Sequence, residues 1–178
     1  MAMLTLVKPN MQYADEIRGY RAESLGDGPW INGASGLQDF EDPAAWIASC
    51  VAGADPATKN PDWVVGHQWL AVDLDGRIVG MIVIRPELGT PYVAEYAGNI
   101  GYSIRPSRRR QGYATQQLEL TLDVCRGSGL ERVLLTCDKD NEASRRTIMS
   151  CRGQYERDAV KQEDDGTTTV LERYWITL

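Results

Sequence analysis

The chain has 178 residues, 43% of them hydrophobic, and a formal net charge of −6. That is the composition of one soluble domain with enough apolar mass for a core, and its acidity argues against a general nucleic-acid binder. The apolar run Ile78–Ile84 is broken by Gly80 and too short to cross a bilayer, so no membrane partner is expected. The start, Met1–Lys8, lacks the basic segment and long apolar stretch of a secretory signal. A cytoplasmic location is therefore expected.

Leu4–Val7 alternates and stops at Pro9, which predicts a short first strand. Asn10 is placed to cap a helix running to about Leu25, with Tyr13, Ile17 and Tyr20 on its apolar side. A glycine-rich loop follows, and a second helix is predicted from Asp42 or Pro43 to Val51. Gln68–Asp73 and Arg77–Arg85 flank Asp75-Gly76, a hairpin signature. A third long strand is expected from about Val93 to Arg105, with a bulge at Gly98. Gly112–Arg126 has the period of an amphipathic helix (Ala114, Leu118, Thr121, Leu122, Cys125), stopped by Gly127-Ser-Gly129.

Arg132–Cys137 is a short, nearly continuous apolar run, as expected of a strand covered on both faces. Strand, helix and strand over about thirty residues imply a βαβ crossover, so the strands around the Gly112 helix are expected to be parallel neighbours. Asn141 opens a further predicted helix to Cys151. Tyr155–Val160 and Thr168–Leu178 close the chain as a hairpin around Glu163–Gly166. No repeat or linker divides residues 1–178, which are expected to form a single mixed α/β domain.

The turn between the third strand and the Gly112 helix carries the clearest chemistry. It reads Arg109-x-x-Gly112-x-Ala114 and opens a helix. Small residues let main-chain N–H groups approach an anion, and the helix start adds unpaired donors and a positive dipole end. A pyrophosphate-bearing cofactor suits it. The pattern is neither a Walker loop nor a dinucleotide fingerprint.

Metal chemistry finds little support in the sequence. Asp138-x-Asp140-x-Glu142 has Ala143 where a calcium loop needs glycine and Met149 where it needs a carboxylate. His67 is the single histidine. The four cysteines show no C-x-x-C and are expected as reduced, partly buried thiols.

Trp69–Gly153, about half of the chain, resembles the GNAT superfamily of N-acetyltransferases. The likeness rests on Gly101-Tyr-Ser-Ile-Arg-Pro106, on Arg109-Arg-Gln-Gly112-Tyr-Ala114 ahead of an amphipathic helix, and on Thr136–Asn141 followed by Ser144. The terminal Arg173-Tyr-Trp-Ile176 adds to it. The resemblance implies a GNAT-type central mixed, mostly antiparallel sheet of six to seven strands. About four helices would flank it, with a parallel βαβ pair at the cofactor site.

The resemblance also implies acetyl-CoA as cosubstrate, no metal, and direct acetyl transfer to a primary amine of a small-molecule acceptor. A protein N-terminus or lysine as acceptor, and a non-catalytic acyl-CoA-binding module, are the alternatives. The main chain at Ser103 and Ile104 would pair with the pantetheine arm. Arg109, Arg110, Gln111, Gly112, Tyr113, Ala114 and Thr115 would hold the pyrophosphate, and Asn141 and Ser144 would meet the arm near its thiol.

Glu95, the carboxylate on the preceding strand, is the candidate base. The family's usual acid, a tyrosine seven residues after the cap asparagine, is replaced by Ile148, which leaves Tyr102, Tyr96 and Ser144 as candidate donors. Trp30, Phe40, Trp46 and Trp175 are candidate walls of the acceptor pocket. The acidic run Gln38–Asp42 could serve a cationic acceptor or simply a helix start. Edge strands of the terminal hairpin offer a surface for a homodimer.

Overall fold

A computed structural model describes residues 3–178, and its elements follow the sequence pattern closely. Strand β1 (Thr5–Val7) leads to a 3-10 turn capped by Asn10, whose Oδ1 accepts from the N–H of Gln12 at 3.0 Å. Helix α1 (Ala14–Leu25) and helix α2 (Pro43–Gly53) follow; Asp42 caps α2 by accepting from the N–H of Ala44. The acidic run before α2 thus serves the helix start. Strands β2 (His67–Val72) and β3 (Ile78–Ile84) form the expected hairpin, with Gly76 at φ +78° in its turn.

Then come β4 (Ile100–Ile104), α3 (Tyr113–Gly127), β5 (Arg132–Asp138), α4 (Glu142–Ser150), β6 (Gln154–Gln162) and β7 (Thr168–Thr177). Among the described residues, no helix is long and apolar enough to cross a membrane.

The strands form two antiparallel sheets, ordered β1-β2-β3-β4 and β5-β7-β6. Every residue of β3 is buried, because helices cover both faces of the first sheet. On one face Ile17, Tyr20 and Trp46 of α1 and α2 pack on Leu70 and Met81. On the other, Leu118, Leu122 and Cys125 of α3 pack on Ile82 and Ile84 and continue into Val133, Leu135 and Tyr174 of the second sheet. Each such side chain contributes about 1.5–3 kcal/mol on burial. The close approach of α3 to β3 depends on Gly80, where a Cβ would lie 1.8 Å from the Oε1 of Gln117.

Two expectations need correction. The parallel pairing around α3 is reduced to one contact. The N–H of Asn99 donates to the carbonyl of Leu134 at 2.7 Å, and the Asn99 side chain accepts from the N–H of Leu134 at 2.8 Å. Gly98 (φ +69°) permits this approach, since a Cβ there would sit 2.4 Å from the Leu134 carbonyl oxygen. Beyond that stitch β4 and β5 belong to different sheets and share no ladder.

The second correction concerns Val93–Ala97, which is a single π-helical turn and not the start of a strand. The turn is anchored where Thr90 accepts from the N–H of Val93 through its hydroxyl and from the N–H of Ala94 through its carbonyl.

Candidate active site

The split between β4 and β5 leaves an open edge along β4. The ladder to β3 uses Asn99, whose carbonyl accepts from Arg85, and Arg105, whose N–H donates to Val79. Antiparallel alternation then assigns Gly101 and Ser103 to the same ladder and turns Tyr102 and Ile104 outward. Tyr102 spans the split, its hydroxyl lying 3.0 Å from the Oγ of Ser144 on α4. Burial pushes its phenol up to about 12, so it is a proton donor at neutral pH and not a base. On the opposite side Ser103 meets the hydroxyl of Tyr20 at 2.9 Å.

Past Ile104 the chain makes a short 3-10 turn over Pro106–Arg108 and then enters the left-handed region twice, at Arg110 (φ +60°) and Gly112 (φ +81°). Gly112 is the N-cap of α3 and supplies no side chain; the first helical bond runs from the N–H of Gln116 to its carbonyl. Among the described residues, the consecutive N–H groups of Arg110, Gln111, Gly112, Tyr113, Ala114 and Thr115 therefore have no acceptor. Nothing lies within 4 Å of the position a Cβ would take on Gly112. A row of unpaired donors at a helix start, open above its glycine, is an anion cradle.

The arginines of this turn divide in role. Arg109 is committed to the protein: its Nε donates to the Ile104 carbonyl at 3.3 Å and its Nη1 pairs with Asp27. It braces the turn and is not a free phosphate ligand. No ion pair engages Arg108 or Arg110 among the described residues.

Across the split, Asn141 caps α4 by accepting from the N–H of Ser144 at 3.1 Å. Its plain capping role is thus realised, with its amide nitrogen left over. Ile148 is fully buried in the core, so the position of the usual acid is structural.

Glu95 stands apart from this arrangement. It lies on the π turn and not on β4, and Arg157 of β6 grips its carboxylate at 2.8 and 2.6 Å, with Arg173 at 3.6 Å. The Arg157 bonds hold its pKa below the usual carboxylate range. That is the state of a structural ion pair and a poor proton acceptor. Tyr96 is likewise turned to β6, where its hydroxyl donates to the Val160 carbonyl.

At the other end of β4 lies a cavity of about 470 Å³, walled by residues that include Ser35, Cys50, Trp63, Arg85, Tyr92 and Ala97. None of the expected aromatics lines it. Trp46 is buried in the core, Phe40 packs against that core, Trp30 is solvent-exposed, and Trp175 stacks under the Arg132 guanidinium. Instead Trp63 and Tyr92, exposed by 59% and 55%, flank the opening. The loop that lends Ser35 and Gly36 to the cavity wall is held by Gln68, which accepts from the Ser35 hydroxyl and donates to the Gly33 and Ile82 carbonyls. No local spacing pointed to this cavity, because its residues come from segments far apart in the chain.

The family model described as the acetyltransferase (GNAT) family matches residues 39–153. The chain belongs to the GNAT acetyltransferase family. It is accordingly an acyltransferase, and its mixed α/β architecture is that of this family.

Solved GNAT structures align over nearly the whole chain. Mycobacterium smegmatis RimJ in complex with CoA-disulfide is 23% identical, covers 98% of this chain and 81% of its own, and has a TM-score of 0.70. The microcin C7 self-immunity acetyltransferase MccE, in complex with acetyl-CoA and AMP, is 16% identical over 98% and 92%, with a TM-score of 0.69. A GNAT-family acetyltransferase from Bacillus anthracis is 18% identical over 99% and 96%, with a TM-score of 0.67. At these identities the likeness is one of fold. A comparison with curated proteins finds no match.

Proposed function

We propose that this GNAT domain binds acetyl-CoA along the open edge of β4 and transfers its acetyl group to the primary amine of a small molecule. The observation that carries the reading is the unbroken row of acceptor-free N–H groups from Arg110 to Thr115. It suits the diphosphate of coenzyme A, with Arg108 and Arg110 adding positive charge. The outward N–H and carbonyl of Tyr102 and the outward N–H of Ile104 supply donors and an acceptor for the amide-bearing arm, in the manner of an added strand. Asn141 and Ser144 face the same split from α4. The partly open cavity beyond β4, about 470 Å³, is of a size that takes a small acceptor.

In the reaction the acceptor's ammonium first loses a proton. The amine lone pair then forms the N–C bond while the thioester carbonyl electrons move onto oxygen, where an outward N–H of β4 can donate. The C–S bond breaks as the carbonyl re-forms, the departing sulfur takes a proton, and the nitrogen, cationic since its attack, releases one that restores the donor and leaves a neutral amide. Tyr102, protonated and bonded to Ser144, is our candidate donor. We assign no base to Glu95; the amine's proton leaves to solvent through the cavity mouth.

Calorimetric titration with acetyl-CoA, followed by thiol release with an amine panel, tests this. Saturable binding and acceptor-dependent thiol release are expected. Absence of binding by folded protein would defeat the reading.

A further inference from the structure

Among the described residues, two well-buried arginines are held by carboxylates. Arg105 is paired with Glu16 and Glu23 at 2.9 and 2.8 Å, and Arg173 with Glu156 at 2.7 Å. Arg85, at the end of β3, makes a single side-chain hydrogen bond among the described residues, to the Gly98 carbonyl at 3.3 Å, and no ion pair. Desolvation holds its pKa below the usual arginine value, and no carboxylate opposes that shift. Its guanidinium lines the cavity and lies over β4, with Nη1 3.6 Å from where a Cβ on Gly101 would stand. A half-buried guanidinium without a counter-ion, facing a partly open cavity, is costly unless an anion completes it.

We infer that Arg85 receives the α-carboxylate of the acceptor, and that the acceptor is a free α-amino acid with an apolar or aromatic side chain. This rests on the acetyl-transfer reading above. A guanidinium fork matches a carboxylate in two hydrogen bonds. An α-amine is separated from that carboxylate by one carbon, so anchoring the acid on Arg85 holds the nitrogen beside the middle of β4. The side chain then points to the mouth, where the Trp63 and Tyr92 rings are exposed. Asp62, the only other charged residue lining the cavity, disfavours an acidic side chain there. A protein N-terminus has the amine but has lost the carboxylate to its peptide bond, and is excluded by the same logic.

The wild-type protein tests this directly. With acetyl-CoA binding first established by calorimetry, thiol release is measured for L-tryptophan, L-phenylalanine and L-leucine, for their amides, and for dipeptides beginning with them. The free acids are expected to react at least about 100-fold more efficiently than amides or peptides. In parallel, the acids alone are expected to raise the protein's melting temperature and the amides not to, a readout that needs no turnover. Arg85→Gln is expected to weaken use of the acid by about 30-fold or more while changing acetyl-CoA affinity less than twofold. Equal use of acids and amides would overturn the inference and leave acetyl transfer intact. So would acetyl-CoA binding with no acid of the panel bound or acetylated. Failure of acetyl-CoA to bind would instead strike the proposed function, with the melting shifts still deciding the carboxylate site.

Discussion

At its Ile104 end β4 runs into a turn that presents main-chain donors and commits its best-placed arginine to bracing the loop. At its Ile100 end it meets a cavity walled by side chains from several distant segments. The first site is built from what every residue carries, so it tolerates changes of side chain and is sensitive mainly to an added Cβ. The second is built from residue identity. One Arg and two rings set its character, and few positions can change without changing the guest. A common ligand is suited by the first kind of site and a particular one by the second.

Matched glycine substitutions are the strongest way to probe that contrast. Gly33 (φ +67°) lies so close to β4 that a Cβ would be 2.4 Å from the Gly101 carbonyl oxygen and from the Tyr102 Cα. Both are backbone atoms that cannot step aside. Gly33→Ala is expected to cost about 3 kcal/mol, combining overpacking with left-handed strain. That is a fall of roughly 6–12 °C in Tm by differential scanning calorimetry.

Gly112→Ala carries the same backbone strain into open space. About 1 kcal/mol of stability should be lost, but the new methyl projects over the anion cradle. Acetyl-CoA affinity, measured by titration, should then weaken at least about tenfold. If both variants behaved alike, the distinction between the two ends would be lost.

The middle of the strand answers to pH. Because burial pushes the Tyr102 phenol from 10.0 up to about 12, the folded state keeps this proton at pH values where the unfolded chain has released it. Its contribution is complete below about pH 10 and is lost as pH rises toward 12. Urea midpoints across that window should fall with pH, and Tyr102→Phe should flatten the decline. The smallest expected effect is at Glu95. Glu95→Gln should leave kcat/KM within about twofold at neutral pH, since that carboxylate is already held by Arg157. A larger loss would return it to the chemistry.

Local chemistry made much of this legible in the sequence. Asp75-Gly76 announced its hairpin, Asn141 its helix start, and Gly112 with Ala114 the open start of α3, because each depends on neighbours in the chain. Glu95 misled because Val93–Ala97 leads directly into β4, while the Thr90 anchor that winds it into a π turn lies outside the segment. The division of the sheet was hidden for a related reason. Asn99 fills the place of one ladder rung with its own side chain, a long-range act without local periodicity. Arg85 reads as the polar end of an apolar strand. Only in three dimensions does its lack of a carboxylate partner show.

The gap between β4 and β5, crossed by the Asn99–Leu134 stitch and by the Tyr102–Ser144 contact, makes the proposed site a corridor with two doors. In the proposed reaction one admits the acyl carrier and the other the nucleophile, so neither must depart for its counterpart to arrive. No chain nucleophile need store the acyl group between visits. Initial-rate lines at varied concentrations of both reactants should therefore intersect rather than run parallel, and each product can back out through the door by which its parent came in.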